Sequence, residues 1–335
     1  MATTSREIRL KNRPRGLPSS EDFELASVDV PAPALGEVQV RNKWMAVDPA
    51  MRGRMYDAKS YTPPFELDAA MEGPAIGEVI ASQSPDFEPG DIVFSRMGWR
   101  EVFNAPATVL QKRDCTHIPE QAYLGIAGMT GLTAYVGLLD IAGLKADDTV
   151  FVSAASGGVG STACQIAKLK GNRVVGSAGG ERKVAFLKDE LGLDAAIDYK
   201  AEPSLTKALA KAAPDGIDVY FDNVGGDHLQ AALAVANPFA RFAICGMISQ
   251  YNATSPGGVP KNLTLIMVKR LALKGFIALD HLDIEDRFLA DIATWYKAGQ
   301  LKSYESIYDG IESALDAFFG LFSGDNLGRA MVKLA

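Results

Sequence analysis

Thr149-Val-Phe-Val-Ser-Ala-Ala-Ser-Gly-Gly-Val-Gly160 is the stretch on which the fold turns. Thr149 to Ser153 is a short β-rich run, and Val159 to Lys170 has helical spacing, with Val159, Ala163, Ile166 and Ala167 on one face. A glycine-rich turn joins the two. Set against the pattern G-x-G-x-x-G, its key positions are Ala155, Gly157 and Gly160, with alanine, the smallest alternative, in place of the first glycine. Gly157 lets a backbone approach a pyrophosphate, Gly160 lets helix and strand pack closely, and the helix start offers N–H groups and a dipole to the phosphate charge. A strand before and a helix after give the motif its required context, so a dinucleotide site is expected at Ala155, Gly157, Gly158, Val159 and Gly160.

Beyond this turn, helix and strand continue to alternate. Strands are predicted at Arg173–Gly176, Ala195–Ile197, Asp218–Phe221, Arg241–Cys245 and Leu271–Ile277. Helices are predicted at Arg182–Leu191, Leu205–Ala212, His228–Ala236, Leu263–Arg270 and 284–298, with Gly171 and Gly192 as stop signals. Such alternation implies a parallel, doubly wound sheet. Residues 1–125 read differently. Short apolar-alternating runs, Phe23–Val30, Glu37–Trp44, Ala75–Ala81 and Asp91–Phe94, are separated by turn signals such as Pro31-Ala-Pro33 and Glu88-Pro89-Gly90-Asp91, which suggests a barrel or sandwich. In the tail, Asp309 is expected to cap a helix running to about Phe322, and Arg329–Leu334 to form a strand. The tail is too short for a domain of its own and is expected to return to the first one.

Composition narrows the function. The 335 residues are 47% hydrophobic and 22% charged, which excludes wholesale disorder and suits two domains. Thirty-four basic against 41 acidic side chains leave a net charge of −7, which disfavours nucleic acid and anionic lipid as partners. No apolar run approaches a membrane span, and the basic residues from Arg6 to Arg15 are not followed by a secretory apolar core. The three cysteines, Cys115, Cys164 and Cys245, point to a reducing, cytoplasmic setting. With three histidines, no C-x-x-C and no H-E-x-x-H, no metal is expected.

The choice of dinucleotide follows from the second strand. NAD sites usually place an acid near its end, about 20 residues after the glycines. Here Val175-Gly-Ser-Ala-Gly-Gly180 holds no acid, and Arg182 and Lys183 follow, a pattern suited to the 2′-phosphate of NADP(H). Glu181 is the one discordant charge.

These motifs together resemble the zinc-free medium-chain dehydrogenase/reductases, and among them the NADPH-dependent alkenal/enone reductases, the group with the prostaglandin and curcumin reductases. The likeness spans nearly the whole chain. It rests on Val47-Asp-Pro-Ala-Met-Arg-Gly-Arg54, Gly128-Met-Thr-Gly-Leu-Thr-Ala-Tyr135, Ala154–Gly160, Asp222-Asn-Val-Gly-Gly226, Cys245-Gly-Met-Ile-Ser-Gln-Tyr-Asn252 and Asn326-Leu-Gly-Arg329. It implies a Rossmann domain over 126–302 and a GroES-like, β-barrel-type catalytic domain over 1–125 and 303–335. It also implies site residues. Lys183 and Tyr199 fall at the adenosine phosphate end, and Gly180 is also a cofactor-binding residue. Met129, Thr133, Asn223 and Tyr251 fall around the nicotinamide, and Cys245 is a further cofactor-binding residue. Phe276, Ile277 and Ala278 offer backbone groups to the carboxamide, and Asn326 reaches back to the cofactor. Ala50, Tyr56 and Tyr61 fall on the substrate side. Ala50 stands where many relatives carry tyrosine, and Met71-Glu-Gly-Pro74 lacks the histidine of the zinc members' G-H-E. A homodimer joined through Leu271–Ile277 is also implied.

Without ligands for a Lewis-acid metal, conjugate reduction of a small α,β-unsaturated carbonyl is the expected chemistry: hydride goes to the β-carbon and charge develops on the carbonyl oxygen. Tyr251 is the expected donor, since a phenol of pKa about 10 stays protonated at neutral pH. Asp48 and Arg52 are expected to be structural. Two other readings fit the same motifs, a zinc-free quinone oxidoreductase and a non-enzymatic NADPH-binding protein.

Overall fold

The computed structural model describes residues 2–255, 257 and 259–335. Contacts divide the chain into two compact units, one of Met1–Leu124, Glu305–Asn326 and Ala330–Ala335, the other of Gly125–Tyr304 and Leu327–Arg329.

The first unit is built on antiparallel strands. A hairpin of β1 (Thr3–Leu10) and β2 (Phe23–Val30) pairs along its full length, from Thr3 opposite Val30 to Leu10 opposite Phe23. The charged residues of β1 hid it from the sequence pattern. They find partners on the sheet: Arg6 pairs with Glu101 at 2.6 Å, and Arg9 with Glu7 at 2.7 Å. The main sheet centres on β3 (Glu37–Ala46), which pairs with β4 (Ala75–Ser82); β5 (Ile92–Ser95), β6 (Val102–Pro106) and β7 (Gln111–Lys112) complete this half of the unit. Val38, Val40, Val79, Val93 and Phe103 alternate inward to make one core, as a half-buried strand requires. A one-turn helix, α1 (Met51–Arg54), follows β3.

The second unit opens with α2 (Met129–Val136) and then winds a six-stranded parallel sheet. In chain order it holds β8 (Thr149–Val152), α3 (Gly158–Leu169), β9 (Arg173–Ala178), α4 (Glu181–Ala185), β10 (Ala195–Asp198), α5 (Leu205–Ala212), β11 (Ile217–Asp222), α6 (Gly226–Val235), β12 (Ala236–Ile244), α7 (Thr264–Lys269), β13 (Ala272–Gly275) and α8 (Glu285–Lys297). The spatial order β10-β9-β8-β11-β12-β13 reverses direction between β8 and β11. Such a reversal is the switch point at which doubly wound sheets bind dinucleotides, outside the carboxyl ends of the strands. Phe151, Tyr220 and Phe242, all within 1% of full burial, run through the sheet's centre, Phe151 stacked on Tyr220 and Phe242 edge-on to it. No helix among the described residues is long and apolar enough to cross a membrane.

The tail departs from expectation. Asp309 does not cap a helix; it ends a strand, β14 (Glu305–Asp309). Gly310 then turns the chain at φ +78°, a 3₁₀ turn spans Ile311–Ser313, and the helix proper, α9, is Ala314–Ser323. A left-handed residue immediately after Asp309 breaks the path a helix start would need. α9 seats Phe318 edge-on against Trp99 at 6.0 Å, and β15 (Arg329–Lys333) pairs with β3.

Candidate active site

The glycine turn is assembled from close backbone approaches. A Cβ on Gly160 would stand 2.2 Å from the Ala154 carbonyl oxygen, so only glycine lets α3 sit this tightly on β8. The alanine at position 155 is accommodated by a second glycine: a Cβ on Gly176 of β9 would lie 2.8 Å from the Ala155 methyl. Ala154 itself holds a left-handed φ of +48°, an uncommon conformation for a residue with a Cβ. Gly157 is different, because its nearest obstacle is the Ala154 oxygen at 3.4 Å. The turn is thus filled on the protein side and open at Gly157, where α3 begins without a side-chain cap and its first N–H groups lack intrahelical partners. This cradle suits a pyrophosphate. The tail closes one side of it: Gly328 donates to the Ser156 carbonyl at 2.7 Å, and the Arg329 side chain lies 3.3 Å from where a Gly158 Cβ would be.

At the switch point, Asp222 ends β11 fully buried. Its Oδ1 accepts from the Val224 and Gly225 N–H groups at 2.9 and 2.7 Å and from the Tyr220 hydroxyl at 2.7 Å. Burial nevertheless pushes this carboxyl up from its ordinary value. The network holds Asn223, whose Nδ2 donates to the Ser153 carbonyl at 2.7 Å. The sequence singled out Asn223 and passed over Asp222; an acid at the end of an apolar strand was the available signal. Burial, and then the Asp222 carboxylate, push the Cys245 thiol up to about 12, which keeps it protonated and unreactive.

Beside this network, an open cavity of about 460 Å³ is lined in part by Cys245, Met247, Tyr251, Phe276, Ile277 and Asp280. Four residues expected in the site, Cys245, Tyr251, Phe276 and Ile277, therefore share one cavity with Met247, the first residue of the stretch 247–262 expected to line the pocket; Asp280 was not foreseen. Gly246 is why Tyr251 fits. A Cβ there would come within 3.1 Å of the Tyr251 hydroxyl and 3.5 Å of the Asn223 carbonyl oxygen. The phenol is thereby laid onto the carboxyl end of β12. Ala278 is buried next to this lining. On α2, Met129 is exposed and Thr133 turns its hydroxyl back to the Met129 carbonyl at 2.7 Å.

The adenosine end also takes shape within this unit. The Lys183 N–H donates to the Gly180 carbonyl at 3.1 Å. A Cβ on Gly179 would lie 3.1 Å from the Tyr199 hydroxyl. The Tyr199 ring packs edge-on against buried His228, centroids 5.0 Å apart. Burial holds His228 down at about 4, so the imidazole is neutral. β9 carries no acid at its end, but Asp198 of β10 brings one to Gly180, at 2.9 Å from its N–H.

In the first unit, Arg52 is fully buried and donates to the Pro14 and Gly16 carbonyls at 2.9 Å each, a structural role. Its guanidinium carbon lies 4.0 Å over the Tyr56 ring. Ala50, Tyr56 and Tyr61 are exposed, and Asn326 is buried. Among the described residues, no group of three or more His, Cys, Asp or Glu side chains is placed to hold a metal ion.

A doubly wound sheet with an open glycine cradle at its switch point, joined to an antiparallel β unit, defines a dinucleotide-dependent dehydrogenase or reductase. Comparison with known proteins agrees. Residues 6–112 match the family described as N-terminal domain of oxidoreductase, and residues 158–294 match the family described as zinc-binding dehydrogenase. The chain is 47% identical to a Bacillus subtilis protein named for NADP-dependent oxidoreductase activity, over 100% of this chain and 99% of that one. It is 39% identical to the NADP-dependent 2-alkenal reductase of Nicotiana tabacum, over 99% and 98% of the two chains. Among solved structures, CurA of Vibrio vulnificus in complex with NADPH superposes with a TM-score of 0.93 at 42% identity, covering 98% of this chain and 99% of that one. The chain belongs to the medium-chain dehydrogenase/reductase superfamily, in the group of NADP-dependent alkenal, curcumin and prostaglandin reductases.

Proposed function

We propose that this chain is an NADPH-dependent reductase of the α,β-carbon double bond of enones and alkenals. The observation that carries this reading is the Tyr251 hydroxyl laid on the carboxyl end of β12, in the cavity beside the switch point. When bound, NADPH supplies a hydride from C4 of its nicotinamide to the substrate β-carbon. The first-turn N–H groups of α3 from Gly158 to Gly160, with Gly157 and Ala155 in the turn before them, would hold the pyrophosphate. Gly180, Lys183 and Tyr199 would hold the 2′-phosphate end. On the family resemblance, Met129, Thr133, Asn223 and Cys245 would flank the nicotinamide, backbone groups of Phe276–Ala278 would orient its carboxamide, and Asn326 would be a further cofactor residue. Tyr251 donates its hydroxyl proton toward the substrate carbonyl oxygen as charge grows there, or delivers it to the α-carbon. On the family resemblance, Ala50, Tyr56 and Tyr61 shape substrate choice.

The enzyme is read as working without zinc, as a homodimer in the cytoplasm. Support for the first is the missing G-H-E histidine. Support for the second is the edge strand β13, with Met267 and Val268 exposed on the neighbouring α7. Support for the third is that all three cysteines are free.

NADPH deuterated at the transferred position tests the reaction. Label is expected at the β-carbon of a saturated product, with solvent deuterium at the α-carbon. Tyr251→Phe keeps the ring, so cofactor affinity should hold while kcat falls roughly 10- to 1000-fold. Label on the carbonyl carbon of an allylic alcohol overturns the reading, as does turnover confined to quinones. An undiminished kcat in the phenylalanine variant reduces Tyr251 to a packing residue.

A further inference from the structure

Asp198 is an acid at the place where the second-strand sequence shows none. It ends β10, in register with Ala178 at the end of β9. In doubly wound folds the end of the second strand faces the ribose 2′ position, where an acid normally marks an NAD site by bonding the 2′-hydroxyl. The Asp198 carboxylate is engaged otherwise. Its Oδ1 accepts from the Gly180 N–H at 2.9 Å and from the Lys200 N–H at 3.0 Å. Each bond fixes one loop. Gly180, at φ +94°, is the residue on which α4 starts, and α4 carries Lys183. The Lys200 bond folds the other loop back, so that the Lys200 stem and the Tyr199 hydroxyl both cover Gly179: a Cβ there would stand 2.8 Å from Lys200 Cε and 3.1 Å from Tyr199 Oη. His228, 5% exposed, backs the Tyr199 ring.

We propose that Asp198 is the positioning residue of the 2′-phosphate pocket, one carboxylate oxygen joining the loop of Lys183 to the loop of Tyr199 and Lys200. The proposal rests on the NADPH reading above. It explains how an acid can stand in an NADP site: two backbone amides take up one of its oxygens, and the loops that carry Lys183 and Lys200 are both tied to that oxygen.

The test compares wild type, Asp198→Ala and Asp198→Asn with NADPH and NADH, using trans-2-hexenal as substrate, alongside calorimetric binding of 2′,5′-ADP and 5′-AMP. Asp198→Ala should raise the NADPH KM about tenfold, the scale of two lost hydrogen bonds, with kcat and the NADH KM within about twofold. It should weaken 2′,5′-ADP and spare 5′-AMP. Asp198→Asn keeps an acceptor oxygen and should stay near wild type. Equal losses with both cofactors overturn the proposal, and so does a selective loss of NADH, which would make Asp198 a ribose acceptor. Tighter 2′,5′-ADP binding in the alanine variant also overturns it, since the carboxylate would then only repel phosphate. If wild type itself shows no NADPH preference, the cofactor reading fails first and separately. If the alanine variant does not fold, the asparagine variant decides: a loss of 2′,5′-ADP affinity there, despite the retained oxygen, overturns the proposal.

Discussion

Two sites along the carboxyl edge of the second unit's sheet, one after β8 and one after β12, are built by opposite means. At the glycine turn the work is done by atoms that are missing: Gly160 and Gly176 leave no room for a Cβ, and each fits a named neighbour, the Ala154 oxygen and the Ala155 methyl. At the cavity beside β12 the work is done by side chains on irregular backbone, Tyr251 above all, with a buried Asp222 network beneath. The contrast teaches how the two functions tolerate change. Anchoring a diphosphate needs a fixed backbone surface, which side-chain substitution can only obstruct. Directing a proton needs one well-placed group, which a loop can supply in many ways.

The comparison breaks most severely at Gly160. Gly160→Ala drives a methyl into a backbone oxygen 2.2 Å away and should cost about 3 kcal/mol of stability, read by urea unfolding. Gly157→Ala sharpens the point, because its Cβ meets nothing closer than 3.4 Å. Stability should change by less than about 1 kcal/mol while NADPH affinity falls about tenfold. If both variants unfold alike, the open and filled sides of the turn are not distinct.

His228 sets a further contrast, a polar group buried for packing. Its folded pKa, about 4, lies below the ordinary 6.5. Its contribution is therefore fully present above pH 6.5 and is lost as pH falls from 6.5 toward 4, because the unfolded chain binds a proton that the folded chain refuses. The loss amounts to about 3 kcal/mol by pH 4. His228→Phe should flatten the acid side of the stability curve, measured by denaturant titration at pH 7 and 5. An unchanged slope would mean that the imidazole is solvated.

The smallest effect is expected at the phosphate end. If Lys183 holds the 2′-phosphate as proposed, Lys183→Glu replaces a charge-assisted contact by repulsion and should raise the NADPH KM by about tenfold or more, with NADH little affected. Equal effects on both cofactors would move Lys183 away from the 2′-phosphate.

Much of this was legible in the chain. The strand, turn and helix around Ala154–Gly160 follow from local periodicity and from residues too small to do anything else. The stops at Gly171 and Gly192 both hold left-handed φ values, +83° and +61°. Where local pattern was weak, it misled. The charges of β1 concealed a strand, and Asp309 resembled a cap although it ends a five-residue strand. The pairing of Ala155 with Gly176 could not be read, since neither residue signals the other along the sequence.

By itself, then, the sequence determined the class of protein: periodicity and side-chain size act over a few residues, and those are enough to specify β8, the glycine turn and α3. Only the tertiary structure decided which polar groups meet. Asp198 reaches Gly180 because β10 lies beside β9, and Asp222 binds the loop that holds Asn223 because that loop folds back on its own strand end. Gly328 reaches Ser156 because the tail returns to the turn. Such contacts depend on strand order and chain return, and a buried polar group takes whichever partner those bring within hydrogen-bond range.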